Sequence, residues 1–171
     1  MSLLRFLGLT DDRPERSRDT ETVRRIAGQL ARLEPQKAKH LAAFAYVLAR
    51  LAHADLEIDA AETAEMERIV KGLAHLADAE AALVVQIAQS QARLLGGTEN
   101  YIVTRQFRDL STREERAELL QCLYAVAAAD DTISTNESAE IVAIAEELGF
   151  TRAEANSLRS AYRDKLAELR P

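Results

Sequence analysis

Two short segments of this 171-residue chain repeat one spacing of acidic and apolar residues. In both Asp55–Glu62 and Asp130–Glu137, an Asp is followed after three residues by an Ile and after seven by a Glu. The second half of an EF-hand loop has similar spacing, with an acidic residue at position 5 and a Glu at position 12. The chemistry that these segments suggest first is therefore the binding of a divalent cation.

The residues needed for an intact EF-hand are missing. Loop positions 1 and 3 would be Leu51 and His53 in the first segment, or Val126 and Ala128 in the second. Calcium prefers six to eight oxygen ligands, so a complete calcium loop is excluded. A weak, partly hydrated magnesium or calcium site is still open, and its candidate ligands are Asp55, Asp59, Glu62, Asp130, Asp131 and Glu137.

Two interpretations without metal also stay open. The carboxylates can simply hold helix ends, because a Glu at the third helical position completes a capping box and favours the positive end of the helix. They can also form an acidic patch that binds a partner. The first segment is the denser one: it continues into six carboxylates within thirteen residues and no basic residue, namely Asp55, Glu57, Asp59, Glu62, Glu65 and Glu67.

Composition argues against several other classes of function. The chain has 1 Cys, 3 His and a formal net charge of −6, which argues against a disulfide framework, a zinc site and general binding to nucleic acid. No His has a Glu three positions before it, as a di-iron carboxylate bundle requires, and no phosphate-binding or nucleophile motif occurs. Cys122 lies on an apolar stripe and is predicted to be a core residue. We therefore expect a protein without enzymatic activity.

The elements that would position these residues are helices. Ala and Leu are abundant, the chain contains only 6 Gly and 3 Pro, and apolar residues recur with a period of about 3.6. The fold class predicted is all-α, a compact bundle of seven or eight helices. We expect the helices near 19–33, 36–54, 60–74, 79–95, 99–109, 112–129, 135–148 and 152–169.

Helix ends are marked by residue pairs with capping-box spacing. The predicted pairs are Asp59 with Glu62, Ser111 with Glu114, Ser134 with Glu137, and Thr151 with Glu154. Asp78 is a further N-cap candidate, Pro35 should separate the first two helices, and Gly149 is expected to end a helix in a left-handed conformation.

The chain also matches itself when it is shifted by 75 positions. The two acidic segments then superpose, and apolar positions on either side stay in register, such as Phe44 with Leu119 and Ile69 with Ile144. Each copy has the pattern of a helix, a tight turn and a second helix. We predict two helical hairpins related by a pseudo-two-fold axis.

These residues resemble the TerB-like family, the tellurite-resistance protein B group, and also the N-terminal domain of DnaJ-like membrane-anchored co-chaperones. The resemblance covers roughly 20–169 and rests on the Ala-Asp-x-x-Ile-x-x-x-Glu turns and on the segment Glu147–Glu154. The chain departs from the family where Gly often follows the Asp, since Leu56 and Asp131 stand there. Asp tolerates a left-handed conformation, whereas Leu does so poorly.

The resemblance implies an all-α domain of stress-response systems that acts through acidic clusters and protein partners, with divalent-metal binding suggested and no enzymatic activity. The leading hypothesis is a tellurite-resistance-like module that binds partners, and magnesium or calcium as candidate cofactors, through its two acidic turns. The alternative is a co-chaperone-like structural adaptor that acts through helix faces without metal.

The N-terminus leads to predictions about domains and location. We divide the chain into an N-terminal strip and linker, 1–18, and a helical domain, 19–171. Arg5 interrupts the apolar run Met1–Leu9, so this run does not resemble a secretory signal, and no stretch approaches the length of a membrane span. We expect a cytoplasmic protein with protein partners, including partners at the inner membrane surface, and without a nucleic-acid ligand or a transmembrane segment.

Overall fold

The structure is a computed structural model that describes residues 20–52, 60–92, 100–129 and 131–169. The described residues form eight α-helices and no strand, which confirms the all-α prediction. Two short 3₁₀ turns, Arg163–Lys165 and Ala167–Leu169, follow the last helix. The helices are α1 (Thr20–Leu30), α2 (Pro35–Ala52), α3 (Ala60–Leu73), α4 (Asp78–Ala92), α5 (Asn100–Leu110), α6 (Arg113–Ala127), α7 (Thr135–Glu147) and α8 (Arg152–Ser160).

Helix α2 is the centre of the bundle. It packs against α4, α5, α6 and α7, and every residue from 41 to 49 is buried. Four of those nine residues are Ala, which leave room for neighbouring helices to approach closely on several sides at once. The large side chains between them, such as Phe44, Tyr46 and Leu48, fill the spaces between the helices. A helix that is apolar all round is buried in this way.

Two of the predicted capping boxes are confirmed. At α7 the Ser134 hydroxyl accepts from the Glu137 N–H at 3.2 Å, and the Glu137 carboxylate accepts from the Ser134 N–H at 2.8 Å. Thr151 and Glu154 make the same exchange at α8. Gly149 has φ +88°, as predicted for the residue that ends α7. The predicted capping box of Asp59 and Glu62 stays a prediction, because Asp59 lies outside the described residues.

The predicted cap at Ser111 is wrong by one residue. Thr112 is the N-cap of α6, with an extended backbone at φ −72° and ψ 168°, and it exchanges hydrogen bonds with Glu115. Ser111 instead donates its hydroxyl hydrogen to the Phe107 carbonyl at 2.6 Å, so it completes the end of α5. Both residues have cap chemistry, and only the end of the preceding helix decides between them.

Asp78 and Pro35 both stand at the first position of a helix. Asp78 begins α4, so the N-cap is Ala77, whose N–H donates to the Glu80 carboxylate at 3.2 Å; the prediction of Asp78 as the cap is wrong. Pro35 begins α2, where its missing N–H costs no helical hydrogen bond.

The last predicted helix, 152–169, ends earlier than expected. Helix α8 ends at Ser160, and the chain continues as a C-terminal strap, defined here as residues 162–169. The strap forms a parallel β-bridge between Leu166 and Ile133. Ile133 donates its N–H to the Lys165 carbonyl at 2.7 Å and accepts from the Ala167 N–H at 2.9 Å. These long-range backbone bonds replace the hydrogen bonds of a continued helix.

Positions paired by the 75-residue shift have similar environments. Phe44 and Leu119 are both buried, as are Ile69 and Ile144. Helix α3 packs on α6, and α2 packs on α7, so the second helix of each hairpin contacts the first helix of the other. The pseudo-two-fold axis itself stays a prediction, as does the division at residue 18, which falls outside the described residues.

None of the described helices combines the length and the apolar composition that crossing a membrane requires.

Candidate functional site

The second acidic turn joins α6 to α7 and is held by a residue in a left-handed conformation. Asp131 has φ +64°, which is a left-handed conformation. The sequence predicted that an Asp at this position would tolerate such a conformation. The turn directs the next apolar residue inward, and Ile133 has no exposed surface. Ser134 then begins the capping box of α7. Ile133 therefore joins the core between the two helices of the hairpin, as the repeat predicted.

The described carboxylates of this turn already contact groups of the same chain. The Lys165 ammonium of the C-terminal strap forms an ion pair with the Asp131 carboxylate. The Glu137 carboxylate accepts from the Ser134 N–H. Asp130, the remaining candidate ligand of this turn, lies outside the described residues. At this turn, the contacts of Asp131 and Glu137 are therefore explained by the interpretation in which the carboxylates hold the turn and the helix end without a metal.

The first acidic segment is described only where it enters α3. Glu62 is exposed, and Glu65 and Glu67 are partly exposed. Glu62 and Glu65 are three positions apart and share one side of the helix, which we call the acidic face of α3, whereas Glu67 lies on another side. The Arg68 guanidinium donates to Glu65 at 2.8 and 2.5 Å, and these hydrogen bonds lower the pKa of the Glu65 carboxyl. Asp55 and Asp59, the other candidate ligands, lie outside the described residues.

No metal centre is assembled among the residues that the structure describes. Within these ranges, no group of three or more His, Cys, Asp or Glu side chains is placed to hold an ion. Glu62, Asp131 and Glu137 are the predicted ligands that fall within them. The set of six ligands, which includes Asp55, Asp59 and Asp130, stays a prediction.

A buried arginine connects three helices near the end of α2. The side chain of Arg50 is only 5% exposed. Its guanidinium donates to Glu140 at 2.7 and 2.9 Å, to Glu147 at 2.6 Å and to the Thr104 hydroxyl at 2.6 Å. Burial of a charged side chain is unfavourable unless it is paired and hydrogen-bonded, and here both conditions are met. This network joins α2 to α5 and α7.

A cleft of about 450 Å³ opens between the first half of α2, the α3–α4 turn and the beginning of α6. Leu76 and Leu110 contribute partly exposed apolar surface, and His40, His75 and Glu118 contribute polar groups. His75 has φ +52°, and its Nε2 atom lies 4.0 Å from the Glu118 carboxylate. A cleft of this size and mixed lining can accept a small molecule or a side chain of a partner.

The thiol of Cys122 is not arranged for nucleophilic chemistry. Cys122 is completely buried, as its apolar stripe predicted. Burial, together with the nearby Glu118 carboxylate, raises the pKa of this thiol to about 12. Only the thiolate is a strong nucleophile, so at neutral pH this side chain behaves as a small apolar residue.

Comparison with known families identifies the family to which the chain belongs. A family model described as tellurite resistance protein TerB matches residues 40–160, well over half of the chain. The chain belongs to the TerB family. The resemblance seen in the acidic turns is thereby confirmed. Searches of curated proteins and of solved structures gave no match.

The TerB match coincides with part of the architecture. It begins within α2, ends at the last residue of α8 and includes both acidic turns, whereas α1 and the C-terminal strap lie outside it. The strap and its pairing with Ile133 are therefore features of this TerB-family chain that the matched region does not include.

Sequence reasoning missed the Arg50 network and the cleft. One signal for the network was present: Arg50 interrupts a run of apolar residues in α2, and a charge in such a run needs buried partners. Nothing in the sequence identified those partners, because Glu140 and Glu147 follow Arg50 by 90 and 97 residues. The cleft had no local signal, since its lining comes from three separate regions of the chain.

Proposed function

We propose that this TerB-family chain is a non-enzymatic, cytoplasmic stress-response module that binds a basic region of a protein partner through the acidic face of α3. The observation that carries the proposal is the exposure of two neighbouring carboxylates at the start of α3. Glu62 is exposed, and Glu65, three positions further on, stays partly exposed although it accepts hydrogen bonds from Arg68.

Charge complementarity supports this assignment. The chain has a formal net charge of −6, and the acidic face concentrates part of that charge on one helix. Opposite charges on two surfaces accelerate their association and set their orientation, and the effect weakens as salt screens it. Binding through this face should therefore be sensitive to ionic strength.

A charge-neutral variant tests the proposal. Glu62→Gln and Glu65→Gln together remove two charges from the acidic face. A matched control, Asp109→Asn and Glu114→Gln, removes two charges from exposed positions elsewhere. Tagged proteins are expressed in the native host, and bound partners are quantified by mass spectrometry. We expect the acidic-face variant to lose partners that wild type and control retain. Equal recovery by all three proteins would contradict the assignment.

A divalent cation is the competing ligand for the same carboxylates, and the density of the first acidic segment favours testing it. The protein is freed of metal with a chelator and titrated with magnesium or calcium while amide NMR shifts are recorded. Shifts centred on α3 that disappear in the Glu62→Gln variant would favour a cation at this face. Shifts that are absent up to millimolar concentration would leave the partner as its ligand.

The cleft favours the second candidate, a co-chaperone-like adaptor that acts through helix faces without metal. It presents partly exposed apolar surface from Leu76 and Leu110 beside ionisable side chains, a combination that suits a protein contact. Leu41→Ala would disturb the core, so the test uses the lining residue Gln36, which is exposed. If Gln36→Arg abolishes partner recovery while the acidic-face variant retains it, the adaptor interpretation is favoured.

A further inference from the structure

The C-terminal strap is attached to the second acidic turn in the way that many domains bind peptides. Ile133 uses both its backbone N–H and its carbonyl to pair with Lys165 and Ala167, on either side of Leu166. Only Leu166 is extended, between the two 3₁₀ turns of the strap. Main-chain hydrogen bonds of this kind give a bound segment affinity, and its side chains provide specificity. In this chain the segment that occupies the site is covalently linked to it.

Three side-chain contacts surround the backbone pairing. Leu166 is 2% exposed and belongs to the core cluster. The Lys165 ammonium pairs with the Asp131 carboxylate. The ring of Tyr162 stacks on that of Tyr124, with centroids 5.3 Å apart and an interplanar angle of 16°. The groove that receives the strap therefore offers an acidic group, an apolar socket and an aromatic platform.

The strap is held separately from helix α8. Helix α8 has its own anchors: Ala155 is buried, and the Arg159 guanidinium donates to the Ser138 hydroxyl at 2.9 Å. The strap's other backbone bonds are local, such as Lys165 N–H to Tyr162 carbonyl at 2.9 Å. The long-range attachment of the strap consists of the two backbone bonds to Ile133 and the three side-chain contacts above, and segments of a protein open separately at free energies below that of global unfolding. Because α8 keeps its own anchors, opening of the strap near Ala161 does not require α8 to unfold.

The ring that the strap covers carries a buried phenol group. The phenol oxygen of Tyr124 is buried and has no hydrogen-bond partner among the described residues. Tyr124 itself is 1% exposed, and Tyr162, which stacks on it, belongs to the strap. A buried polar group without a partner is unfavourable.

We propose that the C-terminal strap is a releasable internal ligand, and that the groove formed by Asp131, Ile133 and Tyr124 binds a short segment of a partner protein in which a basic residue precedes a leucine-sized aliphatic one. The strap then competes with the partner in cis. This site goes beyond the proposed function, because it lies at the second turn and does not depend on the acidic face of α3.

A substitution that weakens only the backbone pairing tests the release. Leu166 has φ −70° and ψ 119°, a conformation compatible with a following proline. Ala167→Pro therefore removes the N–H that donates to Ile133 without imposing strain on Leu166, and Ala167→Ser is the matched control that keeps this N–H. Both are made in the full chain, and circular dichroism checks that the fold is retained.

The reaction rate of Cys122 with a thiol reagent reports opening of the strap. Cys122 is buried. Burial of Tyr162 is the main cause of its raised pKa and the Cys122 thiol is the second cause, so the two side chains are close. We expect labelling in native buffer to be about five- to tenfold faster in Ala167→Pro than in wild type or Ala167→Ser, the ratio expected for loss of one hydrogen bond. Equal rates in all three folded proteins would overturn the proposal. So would a rate that depends on denaturant as steeply as global unfolding does.

A second experiment measures whether a peptide with the sequence of the strap competes with the strap for the groove. The probe is a fluorescein-labelled peptide of residues 160–169, measured by anisotropy with the full-length proteins. We expect Ala167→Pro to bind it about five- to tenfold more tightly than wild type, because apparent affinity scales with the open fraction. The peptide carrying Leu166→Ala should not bind. Absence of binding to Ala167→Pro, or equal affinity for wild type, would overturn the proposal. If Ala167→Pro does not fold, Lys165→Glu provides the same comparison through loss of the Asp131 ion pair.

Discussion

Asp131 has a backbone conformation that most residues avoid, and this decides how the second acidic turn is built. Its φ of +64° places it in the left-handed region, where a side chain with a Cβ atom is disfavoured and Gly, Asn and Asp are tolerated. Its carboxylate also pairs with Lys165. The residue therefore combines a conformational role and an electrostatic one, and substitutions can separate them.

We predict that Asp131→Ala destabilises the protein by about 1 kcal/mol more than Asp131→Gly does, because Ala is strained at positive φ and Gly is not. Both variants lose the ion pair with Lys165, so their difference isolates the backbone contribution. Asp131→Asn, which keeps the conformational tolerance, should resemble Gly more than Ala. Urea denaturation measures the three free energies of unfolding. Equal values for Ala and Gly would show that the left-handed conformation is not required.

Ile133 is the apolar residue that this turn delivers to the core, and it has no exposed surface. We predict that Ile133→Ala lowers the free energy of unfolding by about 2–5 kcal/mol, the usual range for truncation of a buried Ile. Thr135→Ala, at an exposed position two residues further on, is the control and should change stability little. A cost below about 0.5 kcal/mol for Ile133→Ala would contradict its place in the core.

At the scale of the helices, the carboxylate of one capping box makes the stability of the protein depend on pH. Hydrogen bonds from the Thr151 N–H, the Thr151 hydroxyl and the Arg113 guanidinium lower the pKa of Glu154 to about 2. A carboxyl whose pKa is lower in the folded than in the unfolded state stabilises the protein above the unfolded value, near 4.3. That stabilisation is lost as pH falls from about 5 toward 2.

We predict that Glu154→Gln reduces the loss of stability between pH 5 and pH 2, because the variant has no carboxyl to protonate at this position. Glu114→Gln is the control: Glu114 is also exposed and lies in the first turn of α6, but it is not the capping-box residue there. Thermal denaturation across this pH range measures the slopes. Identical slopes for Glu154→Gln and wild type would show that the cap does not contribute to acid sensitivity.

Local patterns predicted most of the helices and failed where distant contacts decide. Ser134 and Thr151 were correct because a hydroxyl, a Glu three residues on and an apolar face are sufficient to mark a start. Ser111 failed because Thr112 has the same chemistry, and the end of α5 decides between the two. The end of α8 failed because Leu166 pairs with Ile133, which precedes it by more than thirty residues.

At the scale of the whole molecule, the same reasoning explains what the acidic motifs could and could not indicate. Their spacing predicted the turn, the buried Ile and the cap, all of which depend on neighbours in sequence. It did not predict that Lys165 would pair with Asp131, since that contact depends on where the strap returns. Family membership identifies the fold of this region, whereas the strap lies beyond residue 160, where the TerB match ends.

The Arg50 network is one of the contacts between the two hairpins. Arg50 belongs to the first helix of one hairpin, and Glu140 and Glu147 belong to the second helix of the other. Thr104 adds α5, so one guanidinium fixes three helices at once. Because Arg50 is buried and Glu140 is 37% exposed, its removal leaves carboxylates that water can reach only in part.

We predict that Arg50→Met lowers the free energy of unfolding by about 2–3 kcal/mol, less than the ~3–5 kcal/mol that breaking a fully buried ion pair costs, because Glu140 can regain water. Met preserves much of the side-chain volume, so the loss reports the charge rather than a cavity. The double variant Arg50→Met with Glu147→Gln should recover part of the loss, since a neutral amide replaces the less exposed of the two carboxylates. A double variant that is less stable than Arg50→Met would contradict this expectation and show that Glu147 stabilises the fold through contacts other than the one with Arg50.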